Sequence, residues 1–155
     1  LEPRDKQCAV CGVKQSLENS SLNDSGSYRS RCNACRSAQN KRRGETTEGF
    51  FTRRHSDLKA RHKRNNYKGD AITRDELIEL YKAQDGMCAI SGLPMHTTTK
   101  NTDLSASPDR VDVSRGYEKD NVRLVCSRAN VMRNALDDYE LVWWCRAIVN
   151  ANEKR

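Results

Sequence analysis

Asp109, Asn130 and Asn134 are hard oxygen donors at the two ends of one segment, and such donors suit a small divalent cation of the Mg²⁺ or Mn²⁺ kind. Asp109 would offer a carboxylate from the end of a strand. Asn130 and Asn134, four apart, would offer amide oxygens from one face of a helix. A second set of residues has softer chemistry. Cys8 and Cys11 form one Cys-x-x-Cys pair, Cys32 and Cys35 another, and twenty residues lie between the pairs. Each pair lets a tight turn present two thiolates, and two such knuckles complete the tetrahedron of a structural Zn²⁺. Two disulfides or a redox pair are the weaker readings. The short loop strains a disulfide, and no strand-helix pattern surrounds either pair.

Holding the oxygen donors requires a strand, a loop, a second strand and a helix. Val122, Leu124 and Cys126 alternate with Arg123 and Val125 as in a half-buried strand, with Gly116 supplying the turn before it. Upstream, Thr73 as N-cap and Glu76 as its box partner open a helix with Leu77, Ile78, Leu80 and Tyr81 on its apolar face, ended by Gly86. A turn-rich loop through Ser91-Gly92-Leu93-Pro94 and a polar tract lead to Ser107. A last helix is expected from about Asp138 to Asn150, with Asp137 and Glu140 as capping pair and Leu141, Trp144, Cys145 and Ile148 facing a core.

The 155 residues are 35% hydrophobic and 32% charged, with a net charge of +7 and a pI near 9.2. That balance leaves little for a large core and points to a polyanionic partner, most simply nucleic acid. With no long apolar run, a membrane partner is not expected. Residues 41–68 carry ten Lys or Arg against three acids, a local balance of +7 that equals the whole chain's. Most of this segment, from about Thr47 to Arg64, reads as a helix seated through Phe50, Phe51, Leu58 and Ala60. Arg42, Arg43, Arg53, Arg54, Arg61, Lys63, Arg64 and Lys68 are the candidate nucleic-acid contacts. The chain thus divides into 1–40, a four-cysteine zinc module; 41–68, a basic helical segment; and 69–155, the segment with the oxygen donors. The odd cysteine count and a charged start, Leu1–Lys6, without a signal peptide suggest a reducing, cytoplasmic setting.

Together, Ser107-Pro-Asp-Arg-Val-Asp112, Gly116-Tyr117, Asn121-Val-Arg-Leu-Val-Cys126 and Asn130-x-x-x-Asn134 resemble the HNH, or ββα-metal, nucleases. The resemblance covers about 85–140. With an upstream module like 8–35, it is greatest to small HNH endonucleases of phages and restriction systems, and so to a bacterial or phage-infected cell. It implies an α+β fold: a ββα-metal core, flanking helices and an N-terminal zinc-ribbon-like module. It also implies a homodimeric, metal-dependent endonuclease on double-stranded DNA, site-specific and of restriction or phage/homing type, leaving 5′-phosphate and 3′-hydroxyl ends. Asp109 and Asn130 are implied to bind the catalytic Mg²⁺ or Mn²⁺. Asn134 is implied to be a third ligand or to hold the scissile phosphate, and Asn121 to pin the loop.

The chain departs from this pattern in two places. Where most members carry a general-base His after the ligand, this chain has Arg110, which cannot take a proton from water but can clamp a phosphate. The base is then sought in His96, His62, His55, Tyr117 or a water, a histidine being favoured. The flanking pairs that hold a further zinc in several relatives read Cys88-Ala-Ile-Ser91 and Cys126-Ser-Arg-Ala129 here. Buried free thiols are the simpler reading, with a second Zn²⁺ on Cys88, Cys126 and Cys145 as the alternative. Two rivals remain: a non-catalytic zinc-ribbon DNA-binding protein with a degenerate HNH unit, and a nuclease of four-way junctions or RNA.

Overall fold

The computed structural model describes residues 6–98 and 103–153, so the reading of Leu1–Lys6 lies, Lys6 apart, outside the described residues. Contacts divide the chain into two units, Leu1–Gly44 and Glu45–Arg155.

The first unit is organised by sulfur. Cys8 N–H donates to Val13 O and Gly12 N–H to Cys8 O, both at 2.9 Å, a tight turn that Gly12 completes at φ 71°. Cys32 N–H donates to Cys8 Sγ at 3.3 Å, tying the knuckle to the start of α1 (Asn33–Gly44). Lys41, Arg42 and Arg43 fall in the last turn of α1, where the helix dipole favours cations. Cys8, Tyr28 and Cys32 are the buried apolar residues described in this unit, while Val10, Val13 and Leu17 are exposed. So small a core needs the sulfur cluster to hold it.

The second unit begins with α2 (Thr47–Arg64), whose N-cap Thr46 accepts from Gly49 N–H. Its buried stripe is Phe50, Phe51, Leu58 and His62. Ala60 is exposed, contrary to expectation, because the 3.6-residue period carries the stripe from Leu58 to His62. The basic segment 41–68 is therefore shared: residues 41–44 complete α1, and α2 joins the core of the second unit. Helix α3 (Arg74–Ala83) has the Thr73/Glu76 capping box as read. Strands β1 (Ala106–Arg110) and β2 (Val122–Cys126) pair antiparallel, setting Asp109 opposite Arg123. A 3-10 turn, Lys119–Asn121, leads into β2, and α4 (Ser127–Arg133) follows it directly. This is the α+β, ββα arrangement that the resemblance implied.

Strand β2 is not half-buried. It meets both α3 and α4, and its neighbouring residues Leu124 and Val125, which point to opposite faces, are both fully buried. Phe51 and Leu77 complete the centre of the core. Helix α5 (Asp138–Asn152) opens with the Asp137/Glu140 box but buries Leu141 alone. Trp144 and Ile148, expected to face a core, are 53% and 60% exposed, because α5 touches the rest of its unit chiefly through α4.

Candidate active site

The β1-β2 hairpin is fixed at its loop by Asn121, which is buried. Its side chain accepts from Asp112 N–H at 2.9 Å and donates to Asp112 O at 3.0 Å and Gly116 O at 2.8 Å. Gly116 is required by close approach: a Cβ there would lie 2.7 Å from both His62 Cε1 and Tyr67 Cβ. The hairpin and α4 then enclose a cavity of about 300 Å³ lined by Asp109, Arg110, Asn130 and Asn134, together with Arg61, Tyr117 and Arg133.

Asn130 Nδ2 donates to Ser107 Oγ at 2.9 Å and to Pro108 O at 3.4 Å, which leaves the amide oxygen as the acceptor available to a cation. Asn134 lines the cavity, but not as one helical face with Asn130. The helix ends at Arg133, and Asn134 is its cap at φ 48°, ψ −111°, a positive φ that asparagine tolerates better than most residues. Arg110 Nη1 donates to the Tyr67 hydroxyl, to Val113 O at 2.9 Å and to Arg115 O at 3.1 Å. Its guanidinium carbon lies 5.2 Å from the ring centroids of both Tyr67 and Tyr117, so cation–π contact helps to hold it.

Asp109 is 5% exposed and engaged at both oxygens. Oδ1 accepts from Arg133 Nη1 at 2.9 Å, and Oδ2 from Arg123 Nε at 3.0 Å. Both arginines also reach Asp138 in the first turn of α5: Arg123 through two N–H groups at 2.6 and 2.5 Å, Arg133 Nε at 3.2 Å. Arg123, in the first place through this bond to Asp138, is held above the ordinary guanidinium range, and Asp138 below the ordinary carboxylate range. Arg133 donates further to Arg110 O at 3.0 Å and Val111 O at 2.8 Å. Two carboxylates and two guanidinium groups thus form a closed box behind the cavity.

Sequence reasoning did not find Arg123, Arg133, Asp138, Ser107 or Tyr67. Pairing β1 with β2 would have set Arg123 opposite Asp109, and Arg133 stands three residues after Asn130. Among the described residues, no histidine lines the cavity. His62 is buried with both ring nitrogens engaged, Nδ1 accepting from Tyr117 N–H at 3.2 Å and Nε2 bonded to Gly69 O at 3.1 Å. His96 is exposed and pairs with Ser105, at the opposite end of β1 from Asp109 and roughly 13 Å along the strand. Of the base candidates, Tyr117 lines the cavity. From the basic helix α2, Arg61 lines this cavity, and Arg54 with Arg61 lines an adjoining one that also contains Ser107 and Tyr117.

The oxygen donors fit a weakly held divalent ion. Asp109 and Asn130 supply two protein oxygens, each carboxylate oxygen keeps a second lone pair, and Mg²⁺ commonly takes its other ligands from water and substrate phosphate. Arg133 and Arg123 beside the carboxylate lower its affinity for a cation.

The sulfur site is more complete. Cys8, Cys11, Cys32 and Cys35 bring their Sγ atoms within 4.8 Å of one another, a set that could hold a metal ion. Backbone N–H groups, Cys32's first, push the Cys8 thiol down to about 6, while hydrogen bonding with the Cys11 and Cys32 sulfurs pushes Cys35 up to about 12. The second unit repeats the knuckle. Cys88 N–H donates to Leu93 O and Gly92 N–H to Cys88 O, both at 2.9 Å; Gly92 has φ 67°, and Cys126 N–H donates to Cys88 Sγ at 3.1 Å. Ser91 and Ala129 stand where the first knuckle has Cys11 and Cys35. Among the described residues, Cys88, Cys126 and Cys145 do not come together as a metal-binding group, so the second zinc site considered from the sequence is not assembled.

No family model and no curated protein matches the chain. Among solved structures, that of the rare-cutting HNH restriction endonuclease PacI, described for its DNA perturbation, is similar over 97% of both chains, with 17% identity and a TM-score of 0.44.

Proposed function

We propose that this protein is a metal-dependent endonuclease that hydrolyses phosphodiester bonds in double-stranded DNA. The observation that carries the reading is the shared cavity: Asp109, Asn130, Asn134, Arg110 and Arg61 line one space on a ββα unit. Asp109 and Asn130 would hold Mg²⁺ or Mn²⁺, which when bound polarises the phosphate and stabilises charge on the leaving oxygen. Arg110, kept in place by Tyr67 and Tyr117, stays protonated and offers its remaining N–H groups to a phosphate oxygen. Asn130 is oriented by Ser107, and Asp109 by Arg123 and Arg133, so neither has to reorganise when substrate arrives. Because Arg110 cannot act as a base and a neutral Tyr117 phenol has no proton-accepting capacity, the proton of the attacking water passes to a substrate phosphate oxygen or through water to solvent.

The proposal extends to Zn²⁺ on the four N-terminal cysteines, to site-specific cleavage of restriction or phage/homing type, and to the reducing interior of a bacterial or phage-infected cell, where those thiols stay reduced. It also takes the working form to be a pair of copies, because one cavity cuts one strand. No helix among the described residues is long and apolar enough to cross a membrane.

A binding-only reading is favoured by two observations: both Asp109 oxygens already accept from arginines, and among the described residues no histidine lines the cavity. Supercoiled plasmid incubated with zinc-loaded protein and Mg²⁺ or Mn²⁺ separates the two. The nuclease reading expects nicked and linear product with 5′-phosphate ends, abolished by EDTA. A mobility shift without any strand cleavage would leave the binding-only reading.

A further inference from the structure

The first unit contains a cavity that the active-site reading does not use. Arg29, Arg31, Arg36 and Arg43, with Ser30 and Gln39, line a concave space of about 520 Å³, and among the described residues no carboxylate lines it. The unit, residues 1–44, carries nine Lys or Arg against four acids, Glu2, Asp5, Glu18 and Asp24. The arrangement is built. Arg31 and Arg36 are half-buried, and Arg36 Nη2 is held at 3.1 Å by Ser21 Oγ and at 3.2 Å by Asn33 Oδ1, both neutral. Arg29 and Arg31 precede α1, while Arg36 lies near its start and Arg43 in its last turn, so the fold of the sulfur cluster is what brings them together. Guanidinium groups suit the oxygens of phosphate, and four of them lining one hollow favour an anion there.

We propose that this hollow is a binding site for the sugar-phosphate backbone of double-stranded DNA, carried by the sulfur-organised unit itself and separate from the cavity of the second unit. It makes no base contact, so it adds affinity and orientation rather than sequence selection. The identity of the polyanion as DNA rests on the nuclease reading; the site's affinity for a phosphate backbone rests on the four arginines.

The test uses the full zinc-loaded chain without Mg²⁺ and a fluorescein-labelled 30-base-pair DNA duplex, with anisotropy read across a salt series. Each lost phosphate contact lowers the slope of log affinity against log salt by about 0.9. Replacing Arg29, Arg31 and Arg43 together by Gln, with Arg36 spared because it braces the fold, is expected to reduce that slope by about 2 to 3. Replacing the same three by Lys restores most of it. Lys82→Gln, an equal change of charge per site on α3, leaves it within about 0.3 of wild type. Zinc content of one per chain in every variant excludes misfolding. An unchanged slope in the triple Gln variant, or an equal drop per charge in Lys82→Gln, overturns the site while leaving plasmid cleavage, and with it the nuclease reading, intact. Binding of an RNA duplex but not of DNA overturns the choice of ligand. A wild-type chain that binds no duplex overturns both.

Discussion

Asp109→Ala is expected to abolish cleavage and, at the same time, to lower the stability of the second unit by about 3–5 kcal/mol. The second effect follows from the box behind the cavity. Asp109 is 5% exposed, Arg133 is 2% exposed, and removing the carboxylate leaves a buried guanidinium that only Asp138 and two backbone carbonyls still face. Such a charge costs much more than the intact pair contributes, because desolvation is no longer offset. Loss of activity in Asp109→Ala is therefore not by itself proof of a metal ligand. Urea unfolding of Asp109→Ala, Arg133→Met and the double variant resolves the two effects. The double variant should recover a large part of the stability lost by Asp109→Ala, while cleavage stays absent. Additive losses, or an Asp109→Ala protein as stable as wild type, would mean that the box does not hold the hairpin to α4.

Removal of zinc should unfold the first unit and spare the second. With Cys8, Tyr28 and Cys32 as the buried apolar residues among those described, the first unit has little core there apart from sulfur, whereas structural zinc in small modules contributes on the order of 10–16 kcal/mol of apparent binding energy. A strong chelator, or Cys32→Ala, is expected to release one zinc per chain and to expose Lys41, Arg42 and Arg43 of α1 to trypsin. The fluorescence of Trp143 and Trp144, both in the second unit, should change little. Because the ligands bind as thiolates, acid should do the same as chelator. A first unit that resists trypsin after its zinc is gone would contradict the assignment, as would a chain that releases none.

What the sequence made legible was local. The two Cys-x-x-Cys pairs are brought together as their spacing suggests, and the boxes at Thr73/Glu76 and Asp137/Glu140 form because each needs only a four-residue stretch. Asn121 and Asn130 sit at the loop and on the helix where the motif order puts them. What stayed hidden depends on pairing distant segments. Arg123 and Arg133 look like surface charges until the hairpin register and α4 turn them onto Asp109. Tyr67, forty-three residues before Arg110, reaches it only because Gly116 lets the loop pass close to His62 and Tyr67.

Asn134 failed the helical reading because one residue of positive φ ends the turn. The basic run 41–68 misled as a boundary because charge marks surface rather than packing, and Phe51 and Leu58 draw α2 into the core. Of the four arginines of the first unit, Arg43 belongs to the basic run read from the sequence, while Arg29, Arg31 and Arg36 were overlooked for a related reason. They lie outside that run, and only the folded knuckle collects them with Arg43.

In the proposed nuclease Asp109 and Asn130 hold one divalent ion in the second unit, and Asn130→Ala tests this without disturbing the buried ion pairs. Mn²⁺ is titrated against the zinc-loaded chain in the presence of a phosphorothioate duplex that resists cleavage, and free ion is read by its electron paramagnetic resonance signal. One Mn²⁺ per wild-type chain is expected, with affinity weaker by roughly tenfold or more in Asn130→Ala at an unchanged urea midpoint. Equal affinity and stoichiometry in the two proteins would contradict it.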